Sequence, residues 1–150
     1  MRRASSLLLG LVVLAGCSGG GDGDDRLSKD EYVERADAVC ADYDKRLGDL
    51  PDPGSIAALG PLTRRALPIA REAVAQLREL RPPEDLQARV NEWLKLNVLN
   101  VRRIEELGNA ARAGDRVRVQ EIARDAAANE READRLAREL GLETCAQGEG

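Results

Sequence analysis

The sequence, 150 residues long, predicts an all-α fold: an up-down-up-down four-helix bundle over residues 28–145, with its second helix kinked or broken by proline. Three observations carry this. No stretch alternates apolar and polar residues for long enough to make a strand. Good helix formers (Ala, Leu, Arg, Glu) dominate and phenylalanine is absent. Apolar residues recur at three- and four-residue steps, which places them on one face of a helix. The connections between segments are short, so sequence neighbours should run antiparallel.

Helix one starts at a capping box, Ser28-Lys29-Asp30-Glu31, with Leu27 placed to staple against Tyr32. Its apolar face is Tyr32, Ala36, Val39, Cys40, Tyr43 and Leu47, and Gly48 stops it before the turn-rich Leu50-Pro51-Asp52-Pro53-Gly54. Helix two, about Ser55 to Leu80, carries Ile56, Leu59, Leu62, Ala66, Ala70, Ala73, Leu77 and Leu80 inward. Pro61 and Pro68 lack a donor and crowd the preceding turn, so the sequence predicts a kink near Pro68 or a break at Gly60-Pro61.

Pro82-Pro83 ends that segment and starts helix three, about Glu84 to Ala113, with Glu84 and Asp85 in the positive first turn. Leu86, Val90, Trp93, Leu94, Val98, Val101, Ile104 and Leu107 are its apolar residues. Between Leu94 and Val101 they lie on more than one side, which predicts the most buried part of the protein. Gly114 and Asp115 supply a C-cap and an N-cap for a tight hairpin. Helix four, about Arg116 to Leu140, repeats every seven residues through Val119, Ile122, Ala126, Asn129, Ala133, Leu136 and Leu140 before Gly141 ends it. The many alanines and few aromatics favour close helix packing over a large cavity.

The N-terminus reads differently. Arg2 and Arg3 precede a nine-residue apolar run, Leu7 to Ala15, which is far short of the ~20 residues that span a bilayer. A basic start, a short apolar core and small residues after it mark a secretory signal peptide over residues 1–16. Leu14-Ala15-Gly16-Cys17 resembles the lipobox of bacterial lipoproteins. That resemblance implies cleavage before Cys17 and a diacylglycerol on its sulfur. Residues 17–27 then form a tether: Ser18 to Asp25 holds no apolar residue and is rich in glycine and aspartate. Asp22, Asp24 and Asp25 do not make a calcium loop, because the twelfth position from Asp22 is Val33 rather than a bidentate glutamate. Residues 146–150 read as a disordered tail.

Without residues 1–16 the chain carries about 21 basic and 27 acidic groups, a net charge near −6. This argues against general nucleic-acid binding. With Cys17 lipidated, Cys40 and Cys145 remain, and outside the cytoplasm a single pair is expected to oxidise. The bridge would close a loop of roughly 100 residues, about 4–5 kcal/mol in the chain-entropy treatment. It is geometrically feasible, since the tail Leu142-Glu143-Thr144 could run back ~10 Å along helix one to reach Cys40.

With these landmarks placed, the chain resembles small lipoproteins common in actinobacteria. The shared features are the lipobox and its Gly/Asp tether, then Tyr32-x-x-x-Ala36-x-x-x-Cys40. Leu77-x-x-Leu80-x-Pro82-Pro83 and Leu136-Ala137-x-x-Leu140-Gly141-Leu142-x-x-Cys145 complete the set. The resemblance implies an envelope location, a helical fold and a Cys40–Cys145 bridge. It implies no catalytic residue.

The sequence has no histidine, which removes Ser-His-Asp and Cys-His catalysis, the usual zinc sites and the Glu-x-x-His di-iron bundle. No Gly-x-Gly-x-x-Gly or P-loop pattern occurs. The acids mostly sit at salt-pair spacing, as in Glu31/Arg35, Asp42/Arg46, Asp85/Arg89 and Asp134/Arg138. The expectation is a protein with no cofactor, no metal and no enzymatic activity.

Three features hold functional interest. Arg64, Arg71 and Arg78, seven apart, form a basic stripe that either pairs with acid-rich helix one or meets anionic lipid head groups or wall polymer. Asn97, Asn100 and Asn129 either pair with one another and fix register or form a polar floor for a small ligand. Trp93, the single tryptophan, is core filler or a partner hot spot. The resulting expectation is a lipid-anchored extracytoplasmic module that docks to an envelope protein or to the wall. The alternative is a carrier for a small apolar ligand held between helices. An apolar pocket near Asn97 would favour the carrier, and an exposed apolar patch would favour docking.

Overall fold

The computed structural model describes residues 25–146. The expected signal peptide, Cys17 and the expected tether through residue 24 lie outside the described residues, as does the expected tail from residue 147. Four helices make the fold: α1 (Lys29–Gly48), α2 (Ile56–Glu79), α3 (Gln87–Arg112) and α4 (Arg116–Leu140), with one 3-10 turn at Glu84–Leu86 leading into α3. The architecture is the expected all-α four-helix bundle. No described helix is long and apolar enough to cross a membrane.

The termini follow local chemistry. Ser28 and Glu31 close a reciprocal capping box at the start of α1. The Asp115 carboxylate accepts the Arg118 amide at 2.9 Å to open α4. Gly141, at φ 84°, takes the left-handed conformation that ends it. Arg89–Glu139, Asn100–Asn129 and Glu106–Arg118 link α3 to α4 at falling and rising numbers, the mark of an antiparallel pair.

α2 is not broken. It runs unbroken from Ile56 to Glu79 through both prolines. Pro61 and Pro68 are seven apart and both exposed, so the rings and the carbonyls they leave without a donor face solvent. Those carbonyls belong to Ala57 and Arg64, four residues before each proline, and both residues are exposed. The opposite face of α2 packs along α3, and that burial outweighs the missing backbone bonds.

The core has two parts. Tyr32, Ala36, Leu77, Val90, Trp93, Leu136 and Leu140 fill the half of the bundle where all four helices meet. Ala110, Ala111, Val119 and Ile122, with Ile56, Leu59 and Leu107, fill the other half, to which α1 contributes nothing. α1 is the shortest helix, 20 residues against 24–26 for the others. Its closest backbone neighbour is α2 rather than α4.

The segment after α4 covers what α1 leaves open. Leu142 is 0% exposed and Ala146 8%, so the packed domain extends one residue beyond the expected boundary at 145. The Cys40 and Cys145 sulfurs stand at disulfide distance, 2.07 Å. At the other terminus residues 25–27, expected in the tether, contact the domain. Asp25 ion-pairs with Arg81 at 3.2 Å, Arg26 donates to the Pro82 carbonyl at 3.0 Å, and the Leu27 amide donates to the Arg81 carbonyl at 2.8 Å.

Candidate ligand cavity

Packing is not close everywhere. A cavity of about 110 Å³ opens between the helices beside the disulfide. That is room for several waters or one small organic molecule. Alanines cause it: Ala70 and Ala73 from α2 and Ala133 from α4 line the space where larger side chains would meet. The alanine-rich sequence therefore leaves a void here rather than closing one, and Tyr43 of α1 and the Cys40–Cys145 link also line it.

Trp93 forms part of the inner wall while itself only 1% exposed, so it serves the core and the cavity together. Asn97 and Asn100 line the same space. The asparagines pair in part. Asn129 donates to the Asn100 side-chain oxygen at 2.6 Å and to the Leu96 carbonyl at 2.9 Å, tying α4 to α3 in register. Asn97 instead donates to the Trp93 carbonyl of its own helix at 2.9 Å. The Asn97 oxygen and the Asn100 amide have no hydrogen-bond partner among the described residues.

The outer part of the lining is acidic. Asp44 and Glu130 are exposed and Asp134 half-buried, and no Lys or Arg belongs to the lining. Burial pushes the Asp134 carboxyl above its ordinary value, with Arg138 opposing. Burial, reinforced by Glu130 and Asp44, pushes the Tyr43 phenol up to about 12, so it remains a neutral hydroxyl. Among the described residues no group of three or more acidic or cysteine side chains is arranged to hold a metal ion. The field is thus negative, the walls are apolar and aromatic, and the acids stand around the space rather than converging on a point.

The middle of α3 is not the most buried part of the protein. Residues 94–101 are half-buried, with Lys95 exposed, whereas Val90, Trp93, Ala110 and Ala111 are buried on either side. The reason is that this stretch is hollowed from two directions. Asn97, Asn100 and Val101 face the cavity, while Leu94, Lys95 and Val98 line a groove between α2 and α3.

The arginine stripe does not act as one unit. Arg71 is ion-paired with Glu105 of α3 at 3.0 Å, not with helix one. Between α1 and α2 the observed pair is Arg46–Glu72 at 2.9 Å, with the charges reversed from those expected. Arg64 is exposed, and Arg78 lines the α2–α3 groove with Lys95 and Arg102. Sequence reasoning missed Lys95 and Arg102, although their seven-residue spacing on α3 was visible. It also missed Asp37, Tyr43, Asp44 and Glu130, which gather only through the tertiary fold. No family model matches the chain, and no curated protein or solved structure matches it.

Proposed function

We propose that this protein is a membrane-anchored extracytoplasmic lipoprotein that acts as a non-enzymatic binding module, and that the cavity beside Trp93 takes its ligand, a small organic cation. The lipobox at Leu14–Cys17 supports the anchor, and the Cys40–Cys145 pair at disulfide distance suits an oxidising compartment. One observation carries the ligand reading. The cavity has an aromatic and apolar wall and an acidic mouth, and no cation lines it. A quaternary or primary ammonium suits such a site: the carboxylates raise its local concentration, and an aromatic face attracts it once desolvated.

The expected ligand class changes accordingly. A purely apolar molecule would leave the Asn97 oxygen unmatched and gain nothing from the negative field of the mouth, and these favour a charged head on a small body. Docking through an exposed apolar patch has less support. Among the described residues Val117, at 67% exposed, is the only large hydrophobic side chain out in solvent.

Thermal unfolding tests the ligand reading. Tetramethylammonium should raise the midpoint of the mature chain above that in sodium chloride of equal ionic strength, and acetate should not, because a ligand that binds only the folded state stabilises it. Equal midpoints in all three would end the proposal. Intact-mass analysis of protein extracted from membranes tests the anchor separately: fatty acylation at Cys17 supports it, and a retained leader or an unmodified Cys17 contradicts it.

A further inference from the structure

We infer that the α2–α3 groove is the face by which the domain lies on the membrane, with Arg78, Lys95 and Arg102 contacting anionic phospholipid head groups. The groove is separate from the cavity, but the inference rests on the lipid-anchor reading. Its volume is about 490 Å³, and its lining includes three cations and no acid. None of the three has an ion pair or side-chain hydrogen bond among the described residues, whereas Arg46, Arg71, Arg81, Arg89, Arg103, Arg118 and Arg135 all do. In a chain with 27 acids, three neighbouring cations without a carboxylate partner are unexpected. Leu94 and Val98 lie between them, half-buried, so the face is amphipathic.

The position of the anchor-bearing segment selects the membrane as the occupant. Arg26 donates to the Gln87 side-chain oxygen at 2.9 Å, and Gln87 is itself a groove residue. The chain from Cys17 therefore enters the fold at the groove's edge. From Cys17 to Arg26 it spans at most about 30 Å when extended. Lys95 and Arg102 are two turns apart on one helix, ~10 Å. The whole groove thus falls within reach of a bilayer that holds the acyl chains. Each Lys or Arg at an anionic surface strengthens attraction about fivefold, and the tether supplies a high effective concentration, so three cations suffice for orientation.

The test uses the mature chain carrying Cys17→Ser, which removes the anchor and leaves the groove. It should co-sediment with phosphatidylglycerol vesicles at low ionic strength, but not with phosphatidylcholine vesicles. Binding should fall at least tenfold in the triple variant R78Q/K95Q/R102Q. An equal charge change elsewhere, R64Q/R65Q/R124Q, should have a much smaller effect. Amine labelling gives a second readout, since Lys29, Lys45 and Lys95 are the only lysines in the sequence. Phosphatidylglycerol should protect Lys95 relative to Lys45. Equal binding to both vesicle types, equal losses in the two triple variants, or no binding would overturn the inference. So would binding to soluble polyphosphate but not to vesicles, which would assign the groove to an anionic polymer. An unacylated Cys17 in native material, with vesicle binding intact, would remove the anchor reading alone.

Discussion

The Asp37 carboxylate accepts the backbone amide of Cys145 at 3.1 Å, and the same oxygen accepts the amide of Thr144 at 3.1 Å. Asp37 lies three residues before Cys40, so one turn of α1 supplies both the carboxylate that receives the returning chain and the sulfur to which it is linked. The tail is thereby fixed at two adjacent points beside the cavity. The closure of α1 onto the bundle thus adds polar and covalent contacts to the burial of Tyr32 and Ala36.

The first prediction concerns that closure. Cys40→Ala/Cys145→Ala should lower the unfolding free energy by about 2–5 kcal/mol. Asp37→Ala, in the oxidised protein, should cost about 2 kcal/mol through loss of two charge-assisted bonds and should speed reduction by dithiothreitol. Urea unfolding of the two variants checks both values.

A pair of glycines gives an internally controlled prediction. A Cβ at Gly108 would stand 2.2 Å from the Thr63 hydroxyl oxygen and 3.1 Å from its Cβ, in the buried α2–α3 seam. At Gly60 the obstacle is the Arg112 Cγ at 2.9 Å, near the root of an exposed side chain that must change rotamer to give way. Gly108→Ala should therefore destabilise by about 1–3 kcal/mol. Gly60→Ala, which also puts a Cβ on the residue before Pro61, should destabilise by less than Gly108→Ala. Denaturant midpoints of the two variants separate the cases.

Tyr32 is fully buried, yet its hydroxyl has no hydrogen-bond partner among the described residues. Tyr32→Phe should raise the unfolding free energy by about 1 kcal/mol. Burial pushes the phenols of both Tyr32 and Tyr43 up to about 12. A folded value raised above the unfolded one means stability is intact below pH ~10 and is lost as pH rises toward 12. Alkaline unfolding followed by circular dichroism should shift upward in Tyr32→Phe.

Asp134 links stability to ligand binding. Its folded value is raised by burial, so its contribution is favourable at acid pH and is lost as pH climbs through that raised value. Asp134→Asn should then unfold at the same or a higher temperature than the parent at neutral pH. A bound cation favours the ionised carboxylate, so affinity for tetramethylammonium should fall as pH drops through the carboxylate range, and Asp134→Asn should flatten that dependence. Titrations at pH 4, 5 and 7 measure it.

Local signals were legible in the sequence and non-local ones were not. The Ser28 box, Gly141 and the heptad ending at Leu140 each depend on residues within a few positions, and each appears where its chemistry puts it. The cysteine pair was legible once Cys17 is set aside as the expected lipid site, since the two remaining thiols allow one pairing. The break at Gly60-Pro61 does not occur, because single-helix propensity takes no account of the α3 surface along which α2 packs. The cavity was not legible: Ala70, Ala73 and Ala133 read as tight-packing residues, and only the tertiary fold turns them into a void. The partners of Arg71 depended on which helix it faced, which composition does not encode.

Trp93 offers the most direct test of the central claim, because the one tryptophan of the chain lines the cavity. Its fluorescence should change saturably with tetramethylammonium, stay unchanged with acetate or with sodium chloride at the same ionic strength, and respond far more weakly in Asp134→Asn. A flat titration in the parent protein, or an identical response in Asp134→Asn, would contradict a cation site beside Trp93.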